Sequence, residues 1–289
     1  LASALAIDIG GTKLEAALVD STGAVLGRRR APTAGAEAEA LFDQLSDLVS
    51  PFLGEGGLAV CGVGSGGPMS AGGETVSPLN IPQWRNFPLR ERLADLLEIP
   101  VAIDNDAKAL ALGEGWRGAA AGYRNFLAMV VSTGVGGGLV VDGRLLDGDE
   151  GNAGHVGHVI VDPEGPPCAC GSRGCLEAMA SGPSIARQLG YPVEDAPAEV
   201  RRRTGQLVGR AVASVVNLLD LPLTVVAGSV ALGFGDEFFD AAQKELSRHC
   251  GLDFTHGARI VPAGLGSDGP LVGAAAVGWM SLGELVLSS

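Results

Sequence analysis

The sequence predicts an α/β fold of two similar lobes, and three observations lead there. Short apolar runs of strand length alternate with segments whose apolar residues recur at helical spacing. A glycine-rich turn between two apolar runs occurs near the start, within 5–19, and again within 126–141, as a divergent internal repeat would give. The length of 289 residues suits two lobes and supplies ample apolar residues for their cores.

Taken in order, the apolar run 5–9 is broken by Gly10-Gly11-Thr12-Lys13 and resumes over 15–19, before Ser21-Thr22-Gly23 turns the chain again. This is a meander of strands with a glycine-rich first turn. Leu41, Phe42, Leu45, Leu48 and Val49 share one helical face and predict a helix over 36–49. A strand at 58–63 runs into the loop Gly64-Ser65-Gly66-Gly67-Pro68. A helix at 89–97, a strand at 101–103 and a helix at 107–116 follow. The opening pattern then returns, with an apolar run at 126–131, a turn at 132–138 and a strand at 139–141. Beyond it the sequence reads helix 206–219, strand 223–227, helix 237–248, strand 259–261 and helix 270–280. The lobes are expected to divide near Ala107. A small N-terminal lobe covers 1–107, with the C-terminal helix in 270–289 packing back on it, and a larger lobe over 108–269 carries a loop at 155–177.

Hydrophobic residues make up 46% and charged residues 18%, an ordinary globular balance, but 45 glycines is an excess that implies many tight turns and close backbone approaches. A net charge of -13 argues against a nucleic-acid partner, whose phosphates call for Lys and Arg. No apolar stretch has the length of a membrane span and no signal segment opens the chain, so a cytoplasmic protein with no membrane partner is expected. Three of the five cysteines, Cys168, Cys170 and Cys175, are clustered, which in a reducing compartment points to a metal. Cys61 and Cys250 stand alone in apolar surroundings and read as small buried hydrophobes.

The turn Asp8-Ile9-Gly10-Gly11-Thr12-Lys13 sets a carboxylate, two residues without side chains, a hydroxyl and a cation on one strand-turn-strand. Glycines let backbone N–H groups face a phosphate, Thr12 and Lys13 add donors, and Asp8 suits magnesium, which prefers oxygen ligands. A plain hairpin is the competing reading of either turn alone. Two such turns, one per half, favour a nucleotide held between lobes. Neither turn has the spacing of a helix-entry phosphate loop or a dinucleotide fold, since Gly134, Gly136, Gly137 and Gly138 lead into the apolar Leu139-Val140-Val141.

His158, ten residues before Cys168, completes a set of one imidazole and three thiolates with Cys170 and Cys175. That composition suits tetrahedral structural zinc with every position taken by protein, so the ion's role would be positional. Asp104-Asn105-Asp106 follows the strand 101–103 and opens a helix. Asp106 is the candidate general base, able to take the proton of a sugar hydroxyl as it attacks phosphorus. Capping of the helix by Asp104 or Asp106 is the alternative reading. Asn80, Asn105, His155, His158 and Glu177 are the polar candidates for sugar hydroxyls.

Together these segments resemble the ROK family (repressor, open reading frame, kinase) of the actin- and hexokinase-like ATPase superfamily, whose lobes have a ribonuclease H-like fold. The matching pieces are 8–13, 64–68, Asn105-Asp106-Ala107, 132–138, Gly154-His155-Val156-Gly157-His158, and Cys168-Ala169-Cys170-Gly171 with Gly174-Cys175-Leu176-Glu177. The resemblance implies an ATP-dependent hexose kinase with Asp106 as its base. It implies sugar contacts from Asn80, Asn105, His158 and Glu177, with Gly67 and His155 in the same set. ATP, with Mg2+, is implied to meet Asp8, Gly10, Gly11, Thr12 and Lys13 in one turn and Ser132, Thr133, Gly134 and Gly136 in the other, with Gly228 beside them. His158 would serve twice, binding zinc through one nitrogen and the sugar through the other.

One departure stands out. Most kinases of the family carry glutamate where this chain has His155, and imidazole is bulkier and uncharged when neutral. Histidine there looks like some bacterial N-acetylmannosamine kinases, but also like actinobacterial sugar kinases and glucokinases that this chain resembles more widely, so glucose is the favoured sugar and N-acetylmannosamine the alternative. The family's sugar-sensing transcriptional regulators carry a helix-turn-helix ahead of the first glycine turn, and only seven residues precede Asp8 here. A sugar-binding protein without catalysis is the remaining rival, disfavoured by Asp106 and the two turns. A homodimer is expected, as the commonest closed assembly and one common among relatives.

Overall fold

The computed structural model describes residues 2–34, 37–54 and 56–287. Ala36, where the first expected helix begins, and 288–289, the end of the expected C-terminal segment, lie outside the described residues, as does Leu1. The chain forms two compact units. One contains the chain up to Ala121, the segment Asp147–Ala153 and the C-terminal stretch from Leu265; the other contains Gly122–Leu146 and Gly154–Gly264. The expected division near Ala107 therefore shifts to Ala121, because the helix that begins there keeps its contacts in the first unit.

In the first unit, β1 (Ser3–Ile9), β2 (Lys13–Asp20), β3 (Val25–Pro32), α1 (Ala38–Val49), β4 (Leu58–Ser65), α2 (Leu89–Leu97), β5 (Val101–Asn105) and α3 (Asp106–Arg117) follow one another. The sheet order is β3-β2-β1-β4-β5. β1 pairs antiparallel with β2 and parallel with β4, which pairs parallel with β5. Ala4 to Ile7 of β1 are fully buried, matching a central strand covered on both faces. β3 is the edge strand, and its Arg28, Arg29 and Arg30 are the charges that keep an edge from pairing further. The apolar stripe of α1 and Leu89, Leu93 and Leu97 of α2 complete the core on one face.

The second unit repeats this plan. β6 (Phe126–Val131), β7 (Val135–Val141), β8 (Arg144–Leu145), α4 (Leu176–Ala180), α5 (Gly182–Leu189), α6 (Ala198–Leu219), β9 (Leu223–Ala227), α7 (Ser229–Phe234), α8 (Asp236–His249) and β10 (Arg259–Pro262) follow. The sheet, read as β8-β7-β6-β9-β10, has the strand order and directions of the first, a three-stranded antiparallel meander followed by two parallel additions. α6 and α8 approach closely because Gly205 and Gly209 carry no side chain: a Cβ there would lie 2.2 Å from Phe238 O and 2.3 Å from Ala242 O.

α9 (Gly269–Ser281) returns to the first unit and is buried along most of its length. A Cβ on Gly62 of β4 would fall 1.9 Å from Ala274 O, and one on Gly113 of α3 would fall 2.9 Å from Gly273 Cα, so glycine sets both approaches. Several elements differ from the sequence reading. Gly136, Gly137 and Gly138 belong to β7 and not to the turn, which is confined to Ser132, Thr133 and Gly134. β5 extends to Asn105, α6 begins eight residues before the expected 206, and β3, β8, α4, α5 and α7 are additional.

Candidate active site

Each unit places a three-residue turn at the same point of its sheet, between the first two strands: Gly10, Gly11 and Thr12 after β1, and Ser132, Thr133 and Gly134 after β6. In the first turn Gly10 N donates to Lys13 O at 3.0 Å and Thr33 Oγ1 donates to Gly10 O at 2.6 Å, which leaves Gly11 and Thr12 exposed at the tip. A Cβ on Gly11 would lie 2.5 Å from Asn80 Cβ, so the bare backbone lets the Asn80 loop sit against the turn. That loop is stitched to 64–68 by Ser77 N donating to Pro68 O at 2.8 Å and Leu79 N to Gly67 O at 3.2 Å. Gly67 in turn faces Asn105, whose Nδ2 would be 3.6 Å from a Cβ there.

Lys13 is paired with Glu15, a buried carboxylate that Arg30 also grips, at 3.0 and 2.7 Å. Burial opposes the charge of Glu15, but the two cations outweigh it and hold its carboxyl below the ordinary value. Lys13 therefore meets any phosphate as half of an ion pair.

The end of β5 separates three neighbouring polar residues by role. Asn105 is the N-cap of α3, its Oδ1 accepting from Ala107 N at 3.0 Å. Asp104 accepts from Asn105 N at 2.7 Å and pairs with Lys108 at 3.2 Å. Asp106 accepts from Ala107 N at 2.8 Å, and among the described residues no cation pairs with it. Of the two residues read from sequence as possible caps, neither is the cap. Asp106 retains exposure to solvent, yet the protein crowded around it pushes its carboxyl above the usual carboxylate range, against the pull of the Ala107 N–H. A raised value brings a carboxylate toward the pH at which a general base works best.

Asp8, at the end of β1, converges on the same place: a Cβ on Gly64 would lie 3.8 Å from Asp8 Oδ1 and 3.9 Å from Asp106 Cα. Burial and then the nearby Asp106 charge push Asp8 up to about 7, with Lys13 pulling the other way. A magnesium ion beside Asp8 would reverse that penalty by favouring its ionised form. The oxygen donor set thus fits the ion named from sequence. Lys108, almost wholly buried, also donates to Asp147 at 2.5 Å and to Gly151 O at 3.2 Å. Its ammonium is disfavoured by burial but held above its ordinary value by the two carboxylates. Asp147, 39 residues beyond Lys108, carried no signal in the sequence.

In the second unit the glycine turn is held from three elements. Val135 N donates to Glu177 Oε2 at 2.9 Å, Gly182 N donates to Ser132 O at 2.8 Å, and Ser132 Oγ shares a hydrogen bond of 2.9 Å with Ser229 Oγ. Gly228 has φ +102° and a Cβ there would lie 2.3 Å from Val131 O, so only glycine lets α7 start beside the turn. Gly136 lies within β7, outside the turn proper. Gly182 and Ser229 were not singled out in the sequence, since each is an ordinary residue whose role comes from a partner about fifty or a hundred positions away.

His158, Cys168, Cys170 and Cys175 bring one donor atom each to within 4.8 Å of one another. Cys170 Sγ and Cys175 Sγ are 3.8 Å apart, and His158 Nδ1 is 3.7 Å from Cys168 Sγ. A tetrahedron with Zn–S near 2.3 Å and Zn–N near 2.0 Å has edges of ~3.5 to ~3.8 Å, close to these two separations, so the set fits zinc. The backbone is shaped for it: a Cβ on Gly174 would lie 1.6 Å from Asp162 O, and Val161 N donates to Gly174 O at 2.9 Å. With Nδ1 facing the thiolates, His158 keeps Nε2 for another partner, and the centroid of the exposed His155 ring stands 6.0 Å from that of His158. Cys61 and Cys250 are free and buried, apart from this cluster.

A model of the ROK family matches residues 4–279. The N-acetylmannosamine kinase of Escherichia fergusonii is 38% identical over 251 residues, 80% of this chain and 84% of that protein. The structure resembles the ROK hexokinase from Thermus thermophilus with a TM-score of 0.86 and 30% identity, covering 98% of this chain and all of the other. It also resembles the ROK family glucokinase from Streptomyces griseus in complex with glucose and AMPPNP, with a TM-score of 0.83 and 29% identity over 96% of this chain and 99% of that one. The two repeated sheets are those of an actin-like ATPase fold.

Proposed function

The chain belongs to the ROK family and is a sugar kinase, and from that premise we propose that it transfers the γ-phosphoryl group of ATP to the 6-hydroxyl of N-acetylmannosamine. The observation that carries the choice of sugar is the 38% identity to an N-acetylmannosamine kinase over most of both chains, against 30% and 29% for the hexokinase and the glucokinase. His155 does not decide between the sugars, since histidine at this place looks like both some bacterial N-acetylmannosamine kinases and actinobacterial glucokinases. Glucose, favoured on the residues alone, becomes the second reading, kept by the likeness to the Streptomyces griseus glucokinase.

Asp106 takes the proton of the 6-hydroxyl as its oxygen attacks the γ-phosphorus. The new O–P bond forms while the bond to the β-phosphate oxygen breaks and ADP leaves. The role falls to Asp106 because Asn105 already caps the helix and Lys108 already holds Asp104. Asn80, Asn105 and Gly67 in the first unit, and His155, His158 Nε2 and Glu177 in the second, are the proposed sugar contacts. Backbone N–H groups of the two turns are the proposed phosphate donors, with Gly228 beside the second. Magnesium held through Asp8 would neutralise phosphate charge. Zinc on His158, Cys168, Cys170 and Cys175 would fill its coordination with protein donors and fix the loop that carries His158 and Glu177.

The test is ADP release measured in a coupled assay with N-acetylmannosamine, glucose, mannose and N-acetylglucosamine. N-acetylmannosamine is expected to give the highest kcat/KM; a higher value for glucose would hand the reading to glucokinase.

A further inference from the structure

Glu177, proposed above as a sugar contact, is also bonded to the turn proposed for the nucleotide's phosphates. Glu177 Oε2 accepts a hydrogen bond from Val135 N at 2.9 Å, at the first residue of β7 and immediately after the turn. The same oxygen would be 3.1 Å from a Cβ on Gly134, so the carboxylate lies along the turn's flank, and a side chain at 134 would press on it. Val135 is itself 5% exposed, so without Glu177 its N–H would have to find another acceptor in a buried position. Glu177 sits two residues after Cys175, at the start of α4, on backbone set by the metal loop.

We propose that Glu177 is a positioning residue for the nucleotide turn, its Oε2 fixing the Val135 amide and thereby the exposed tip at Thr133. The assignment rests on the kinase reading. It gives one carboxylate two tasks, because Oε1 is left for the sugar hydroxyl while Oε2 holds the phosphate turn. Loss of a hydrogen bond to a charged acceptor is about tenfold in affinity when the turn it holds must be ordered by the ligand instead.

The experiment measures binding of the non-hydrolysable analogue AMPPNP by calorimetry, with magnesium and without sugar, to the zinc-loaded full chain. Glu177→Gln keeps an acceptor oxygen at the same reach, whereas Glu177→Asp keeps the charge but withdraws it by one methylene, and Glu177→Ala removes both. The expected pattern is AMPPNP affinity within threefold of wild type for Gln and weakened about tenfold for Asp and Ala. Zinc content and melting temperature are measured for each variant, and the Gln and Asp pair decides the matter if Ala does not fold. Wild-type affinity in Asp, or equal loss in Gln and Asp, would overturn the proposal alone. Failure of the wild-type protein to bind AMPPNP at all would overturn the kinase reading and this assignment with it.

Discussion

Replacing Asp8 by Asn should stabilise the protein, and by an amount that depends on pH. Asp8 has an ordinary value of 3.8 and is raised to about 7 in the folded chain, first by burial and then by the charge of Asp106. Between these values the folded state keeps a proton that the unfolded state gives up. Stability therefore falls as pH rises through this window and levels off above about 7. At about 1.4 kcal/mol per unit, a rise of roughly three units amounts to about 4 kcal/mol of penalty borne by the ionised side chain. Asparagine keeps the shape and never ionises. Urea unfolding in magnesium-free buffer should show variant and wild type nearly equal at pH 4 and the variant ahead by several kcal/mol at pH 8. Asp106→Asn should narrow the wild-type window, because it removes the second cause of the shift. A difference between Asp8→Asn and wild type that stays flat from pH 4 to pH 8 would refute the reasoning.

Three further outcomes are expected. Asp106→Asn should lower kcat by 10²–10⁴-fold while sugar affinity by calorimetry changes little; equal loss of both would assign Asp106 to scaffolding. Cys170→Ser should lose zinc, measured by metal analysis, and lower the melting temperature, and full metal content with unchanged melting would remove Cys170 from the ligand set. Lys108→Met leaves Asp104 without its cation, so the folded-state value of Asp104, already raised by burial, should rise further. The cost in stability should therefore be larger at pH 8 than at pH 5, on the order of 1–3 kcal/mol, and an equal cost at both would contradict it.

What the sequence made legible was whatever a short window could hold. The zinc set spans few residues and keeps its meaning without a fold, and the two glycine turns repeat, so both were readable. Buried strands such as β6, an unbroken apolar run, and β9, apolar but for Thr224, were read to the residue. β3 escaped because an edge strand is half solvent-facing and its three arginines look like a loop. The first turns of α6 were hidden by Glu199, Arg202 and Arg203 on its exposed side. Gly136 to Gly138 looked like turn, but the structure gives them a strand because other backbone presses on it: a Cβ on Gly154 would lie 2.1 Å from Gly137 O. Lys108 with Asp147 in the first unit, and Glu177 with Val135 in the second, join residues 39 and 42 positions apart, and no local pattern announces them.

The central claim is that Asp106 deprotonates a sugar alcohol for attack on ATP. It is met most directly by phosphorus NMR of wild type and Asp106→Asn incubated with ATP, magnesium and N-acetylmannosamine. Wild type should convert the γ-phosphate signal into that of a phosphomonoester coupled to the protons at carbon 6, while the variant leaves ATP intact over the same hours. Equal ester formation by the variant, or inorganic phosphate in place of the ester from wild type, would contradict the account.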